Sequence, residues 1–112
     1  MIKPLKSEKK IETIFEKGAL IKNGVVLLRF HDFKDDEVSF GVSVPKKNFK
    51  SAVSRNRIKR QLREIVRNNP NLKQMKKGVS FFLIYSSSKA TSFEELNKKS
   101  TSLIEKLISK FN

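Results

Sequence analysis

The chain has 112 residues, no cysteine, and 25 Lys and Arg against 11 Asp and Glu, a formal net charge of +14. This length suits one core, so a single domain over residues 1–112 is expected. With no thiol for a disulfide or metal, no apolar run near the roughly 20 residues of a membrane span, and no signal-length apolar core in Met1-Ile2-Lys3-Pro4-Leu5-Lys6, the expectation is a cytoplasmic protein that needs neither staple nor membrane.

Residues 8–17 place Ile11, Ile14 and Phe15 at helical spacing, with Ser7 as cap, Glu8 in the first turn and Gly18 as stop. Residues 24–31, Gly-Val-Val-Leu-Leu-Arg-Phe-His, are β-rich. A polar turn from Asp32 to Glu37 leads into an alternating strand, with Val38, Phe40, Val42 and Val44 facing one way and Ser39, Gly41 and Ser43 the other. Pro45 closes that strand, and Lys46-Lys47-Asn48-Phe49-Lys50 forms a basic connector. A helix follows from residue 51 to 68 or 69, because Pro70 disfavours helical geometry in the residue before it. Gly78 opens a strand over 79–85, apolar on both faces and so expected at the centre of the sheet. In the last helix Ser92 and Glu95 have capping-box spacing. Phe93, Leu96, Leu103, Ile104, Leu107, Ile108 and Phe111 there form one stripe, read as core. The order is helix, two strands, helix, strand, helix, which points to an α+β chain with a mainly antiparallel sheet packed with three helices.

The helix over residues 52–67 carries the functional signal. Ile58, Leu62, Ile65 and Val66 make its apolar stripe, while Arg55, Lys59, Arg63 and Arg67 line one ridge at four-residue spacing, with Arg57 and Arg60 further round. Like charges so spaced destabilise an isolated helix by a few tenths of a kcal/mol, roughly, per pair, and Glu64 is the one acid present to offset them. A polyanion would supply the missing counter-charge, since Lys and Arg that neutralise phosphates release condensed counterions. Five of the six cations are Arg, which binds phosphate bidentately and stacks on bases. A merely solvated face would mix Glu with Lys, and a leucine-zipper basic region would need heptads where Pro70 stands.

Groups suited to catalysis are few. His31 is the single histidine and sits at a strand end. Asp32, Asp35, Asp36 and Glu37 cluster, but within one turn, where Asp is favoured for turn chemistry, whereas converging metal ligands usually come from separate elements. Neither a phosphate-cradling Gly-rich loop nor zinc spacing is present. No catalytic residue is expected in this chain.

The stretch Ala52-Val53-Ser54-Arg55-Asn56-Arg57-Ile58-Lys59-Arg60-Gln61-Leu62-Arg63-Glu64 closely resembles the Arg-Asn-Arg signature of the protein subunit of bacterial ribonuclease P. Gly41-Val42-Ser43-Val44-Pro45-Lys46-Lys47 fits the same family, as does Leu5 followed by Ile14-Phe15-Glu16-Lys17-Gly18. The resemblance implies a subunit of an endoribonuclease that removes the 5′ leader of precursor tRNA. A catalytic RNA with bound Mg2+ performs the hydrolysis, and the protein itself holds no cofactor. It implies RNA partners, the catalytic RNA and the leader, rather than DNA. By resemblance Arg55, Asn56, Arg57, Lys59, Arg60, Arg63 and Arg67 face the catalytic RNA, while Ile11, Phe15, Lys46 and Lys47 border a leader cleft floored by the sheet. The family fold also has a left-handed crossover between the strand ending at Val44 and that over 79–85, against the general right-handed rule. Many members carry an aromatic at Ile11 and a basic pair where this chain has Tyr85-Ser86, so Tyr85 is expected to stack on a leader base instead.

Two other functions share the charge: a ribosomal or ribosome-associated RNA-binding protein, and a stand-alone nuclease using the acidic turn. If about six phosphates are neutralised, log K for single-stranded leader RNA against log salt should have a slope of about −4, at roughly −0.7 per phosphate. A titration with a flat salt response would rule out the polyanion reading.

Overall fold

A computed structural model of the chain describes residues 2–111. In chain order the elements are β1 (Ile2–Pro4), α1 (Glu8–Lys17), β2 (Ala19–Asn23), β3 (Val26–Asp32), β4 (Val38–Ser43), α2 (Ala52–Arg67), β5 (Val79–Tyr85) and α3 (Phe93–Lys110). A short 3-10 turn, Leu72–Gln74, stands between α2 and β5. Ser7 and Ser92, which read as caps, act as caps, and Ser51 does the same for the middle helix. The hydroxyls of Ser7, Ser51 and Ser92 accept the backbone N–H groups of Lys10, Ser54 and Glu95, satisfying donors that a helix start leaves free. None of these helices is long and apolar enough to cross a membrane.

The strands form one sheet in the order β1-β4-β5-β3-β2. The α+β class holds, but the sheet is evenly mixed rather than mainly antiparallel. β2–β3 and β3–β5 are antiparallel, whereas β1–β4 and β4–β5 are parallel. For β4–β5 the cause is the crossover: α2 carries the chain from the end of β4 to the start of β5, so these adjacent strands run the same way, and β1 adds a second parallel pair at the edge. The edge strands β1 and β2 were not expected from the sequence. Each is short and largely exposed, with no clean alternation to reveal it. The β2–β3 hairpin turns on Gly24, at φ 60°, the residue that a two-residue turn of type II′ asks for at its first central position.

Alternation along the strands gives the sheet two apolar faces. On one, Leu28, Phe30, Phe40, Phe81, Leu83 and Tyr85 pack against Ile58, Leu62 and Val66 of α2 and Leu103, Ile104 and Leu107 of α3. On the other, Phe82 and Ile84 of β5 pack under Ile14 of α1, with Ile11, Leu27 and Phe33 half-buried around them. Every residue of β5 is therefore buried, as a strand with two covered faces must be. Gly41 on β4 has no side chain for a reason: a Cβ there would lie 2.4 Å from the ring of Phe82. One member of the expected α3 stripe is not core. Phe93, the first residue of the helix, is 42% exposed, because its position precedes the turn that reaches the sheet.

Leu62 is fully buried between the helices and the sheet. Leu62→Ala should cost about 2–5 kcal/mol in urea unfolding through the cavity it leaves. The exposed neighbours Arg60 and Arg63 should change to Ala with little effect on the same curve, and an equal loss there would mean the helix faces are misassigned.

Candidate nucleic-acid interface

The outer face of α2 is a field of uncompensated positive charge. Asn56, Arg57, Arg60, Arg63 and Arg67 are exposed and Lys59 is half-buried, while the apolar stripe faces inward. Among the described residues every ion pair lies elsewhere, between Lys3, Lys10, Lys76 or Lys99 and their carboxylates. Arg55 differs from the rest of the ridge. Its Nη1 donates to the carbonyls of Phe49 and Lys50, at 2.6 and 2.9 Å, so this guanidinium fastens the basic connector onto the first turn of α2. That leaves the connector's Lys46 and Lys47 exposed after β4, at the end of the strand where Ser43 pairs with Ile84.

The opposite face of the sheet carries a second surface. Phe15 on α1 is 40% exposed, with its ring centroid 5.1 Å from that of Phe82. Arg29 of β3 lies with its guanidinium carbon 6.0 Å from the Phe15 ring centre and donates from Nη1 to the Phe15 carbonyl at 3.3 Å. In register, Gly41, Phe82 and Arg29 form one row across β4, β5 and β3. Ile11 is half-buried beside this row, in the cluster around Ile14. Sequence reasoning missed Arg29 and Phe82. The available signal was a lone Arg interrupting the apolar run Val26-Leu27-Leu28-Arg29-Phe30.

Tyr85 does not belong with this group. It is fully buried on the α2–α3 side, its ring 5.8 Å from that of Phe49 and its hydroxyl donating to the Lys89 carbonyl. The parity of β5 is the reason: Phe82 and Ile84 face α1, so Phe81, Leu83 and Tyr85 face away. Burial also pushes its phenol pKa up.

The sequence model of the family Ribonuclease P matches residues 2–108. The chain belongs to the ribonuclease P family. A relative from Clostridium kluyveri, the ribonuclease P protein component, is 30% identical over 103 residues, 91% of each chain. Among solved structures, the ribonuclease P protein from Thermotoga maritima has 25% identity and a TM-score of 0.77 over 93% of this chain and 96% of that one. The ribonuclease P protein of Staphylococcus aureus has 25% identity and a TM-score of 0.75, covering 97% of both. As a member of this family the chain is the protein component of the endoribonuclease that matures the 5′ end of tRNA, and RNA is its partner in that holoenzyme.

In this chain the acidic turn is occupied. Lys10 Nζ lies 2.6 Å from Asp35 Oδ2 and 3.8 Å from Glu37 Oε2, and 5.1 Å from the centre of the Phe33 ring. Lys76 pairs with Asp32, and Lys3 with Glu37 at 3.6 Å. Asp32 and Asp35 also accept the backbone N–H groups of Lys34 and Glu37. Asp32, Asp35 and Glu37 are thus each engaged by a lysine, and among the described residues no group of three or more His, Asp or Glu side chains is placed to share an ion. The turn does more than reverse the chain, since its Asp35 ties down α1.

The hydrogen bond from Lys10 holds the Asp35 carboxyl below its ordinary pKa, helped by the Glu37 amide; Lys76 and the Lys34 amide act likewise on Asp32. Carboxyls lowered in the folded state contribute stability that is complete above the unfolded pKa and lost as pH falls through the folded one. Melting temperature should therefore drop as pH falls below about 4. Asp35→Asn should melt lower than the parent at neutral pH and show a shallower acid drop. Parallel acid profiles for the two proteins would refute this role for the pair.

Proposed function

We propose that this protein binds two RNA elements on opposite sides of its sheet, in the cytoplasm. The ridge of α2, Arg57, Lys59, Arg60, Arg63 and Arg67 with Asn56, takes the catalytic RNA, and Arg55 holds the ridge against its connector. The other face takes the single-stranded 5′ leader of precursor tRNA, with Phe15 as a stacking platform, Arg29 beside it, Ile11 as an apolar edge and Lys46 and Lys47 for phosphates. The observation that carries the reading is the pairing of an Arg ridge that makes no ion pair among the described residues with an exposed aromatic–Arg patch across the sheet. Phosphate contacts supply salt-dependent affinity and exposed rings accept unstacked bases.

In the reaction, Mg2+ held by the RNA supplies the metal chemistry. The protein's own side chains bind and orient. Neutralising phosphates on both RNAs lowers the repulsion between them, which is why the protein should matter most at low salt and low Mg2+.

The test is a reconstitution of purified protein with precursor tRNA, with and without the catalytic RNA, at low Mg2+; cleavage should require the combination. Phe15→Ala should weaken precursor tRNA binding by about 1–3 kcal/mol while leaving mature tRNA binding and the melting temperature unchanged. Arg60→Ala with Arg63→Ala should weaken assembly with the catalytic RNA at unchanged melting temperature. If Phe15→Ala weakens both tRNAs alike and lowers the melting temperature, Phe15 is core and the leader surface is wrong.

A further inference from the structure

A cavity of about 200 Å³ opens between the first turns of α2 and α3, on the side of the sheet away from Phe15. Its apolar lining is the aliphatic Ile58, Leu96 and Ala90 together with two rings open to solvent, half-buried Phe49 and Phe93, which leaves the α3 stripe to stand 42% exposed; Tyr85, fully buried beside Phe49, backs them. Its polar lining includes Ser54, Arg57 and Gln61, the last two one turn apart on α2. Arg57 and Gln61 make no side-chain hydrogen bond or ion pair with other described residues, whereas the neighbouring Arg55 spends its guanidinium on two carbonyls.

We propose that this cavity seats one unpaired base of the catalytic RNA, flipped out of its stack beside the phosphates that the α2 ridge neutralises. The proposal rests on the reading that α2 binds that RNA. Ring surface with a few converging polar groups suits a flat heterocycle: an unstacked base lies on aromatic faces while its edge meets hydrogen-bonding side chains. Gln61 offers both donor and acceptor to such an edge, and the Ser54 hydroxyl can be either. Arg57 is placed to reach the phosphate of the same nucleotide, since a guanidinium takes phosphate oxygens bidentately. The size is informative too. The cavity falls below the roughly 300–1,000 Å³ of pockets that enclose whole ligands, so it fits a base whose sugar and phosphate stay outside. Charge selects the partner: the α2 wall carries six cations and one acid, and of the two acids in the first turn of α3 Glu95 is paired with Lys99, which favours a polyanion over an acidic or neutral peptide of similar bulk. Position excludes the leader, which the proposed function places across the sheet.

Two variants plug the cavity without changing charge. Ala90→Trp enters from the exposed mouth and Ser54→Leu from the α2 wall. Each would be assembled with the catalytic RNA and probed with dimethyl sulfate for adenine and cytosine and a carbodiimide for guanine and uracil. Melting temperature would be measured alongside. The parent protein should shield one unpaired base that both plugged proteins leave reactive. Affinity for the RNA should fall about 10-fold, the loss of one base–aromatic stack, while the slope of log K against log salt stays unchanged. Arg63→Ala should do the opposite, reducing that slope by about 0.7 and keeping the base shielded. If a plugged protein keeps its melting temperature, the parent affinity and the parent footprint, the cavity holds no base and the proposal is overturned with the ridge reading intact. If Arg63→Ala and Arg60→Ala change neither affinity nor slope, the ridge reading itself fails.

Discussion

The molecule depends on a strand that is apolar on both faces. β5 lies between a parallel and an antiparallel neighbour, and every residue of it is buried. Burying Phe81, Leu83 and Tyr85 needs the two long helices on one side, and burying Phe82 and Ile84 needs α1 on the other. A three-layer chain this small cannot cover both faces completely. The first helix spans only 10 residues and leaves Phe15 exposed over Phe82. The exposed aromatic patch is thus a consequence of how little helix there is to cover the second face.

The second constraint is electrostatic. Six cations and one acid on a helix of 16 residues give it like-charge neighbours at helical spacing, a cost in the free protein that packing of Ile58, Leu62, Ile65 and Val66 has to offset. Arg55 shows how one member is reconciled with the fold, by capping two carbonyls of the connector. The others have no partner among the described residues, so under the proposed reading the same repulsion that weakens the free helix would add to the free energy gained on binding phosphates. Stability and affinity are set against one another along this ridge.

Much of this was legible before any coordinates. Ser7 and Ser92 announced the first and last helices because capping needs a short hydroxyl side chain at a fixed offset, and Pro70 bounded α2 from the far end. The extent of β5 was clear as well, as a run of apolar residues opened by Gly78. The direction in which each of its side chains points was not. A strand that is apolar at every position carries no parity signal, so Tyr85 was placed on the leader side when it faces the long helices. The same blindness hid Phe82 and, across the row, Arg29. Edge strands escaped for a different reason: β1 and β2 are held by their register to β4 and β3, a long-range fact that Ile-Lys-Pro or Ala-Leu-Ile-Lys-Asn does not encode locally.

The acidic turn shows how fold and function meet in one place. Acids near an RNA surface repel phosphate, and in a chain of net charge +14 their presence needs a reason. Asx-type bonds to the amides of Lys34 and Glu37 account for the shape of the turn, and that much is local chemistry. Position accounts for the rest. Asp35 and Glu37 meet Lys10 on α1, which also lies against Phe33, and Lys3 on β1 meets Glu37. Lys76, in the segment entering β5, meets Asp32. The turn therefore joins the start of α1, the edge strand and the central strand at one corner of the sheet. Asp32, Asp35 and Glu37 are already paired with lysines, so these three cost little in repulsion of a polyanion. What they fix is the seat of α1, and with it the place where Phe15 stands over Phe82 and Arg29.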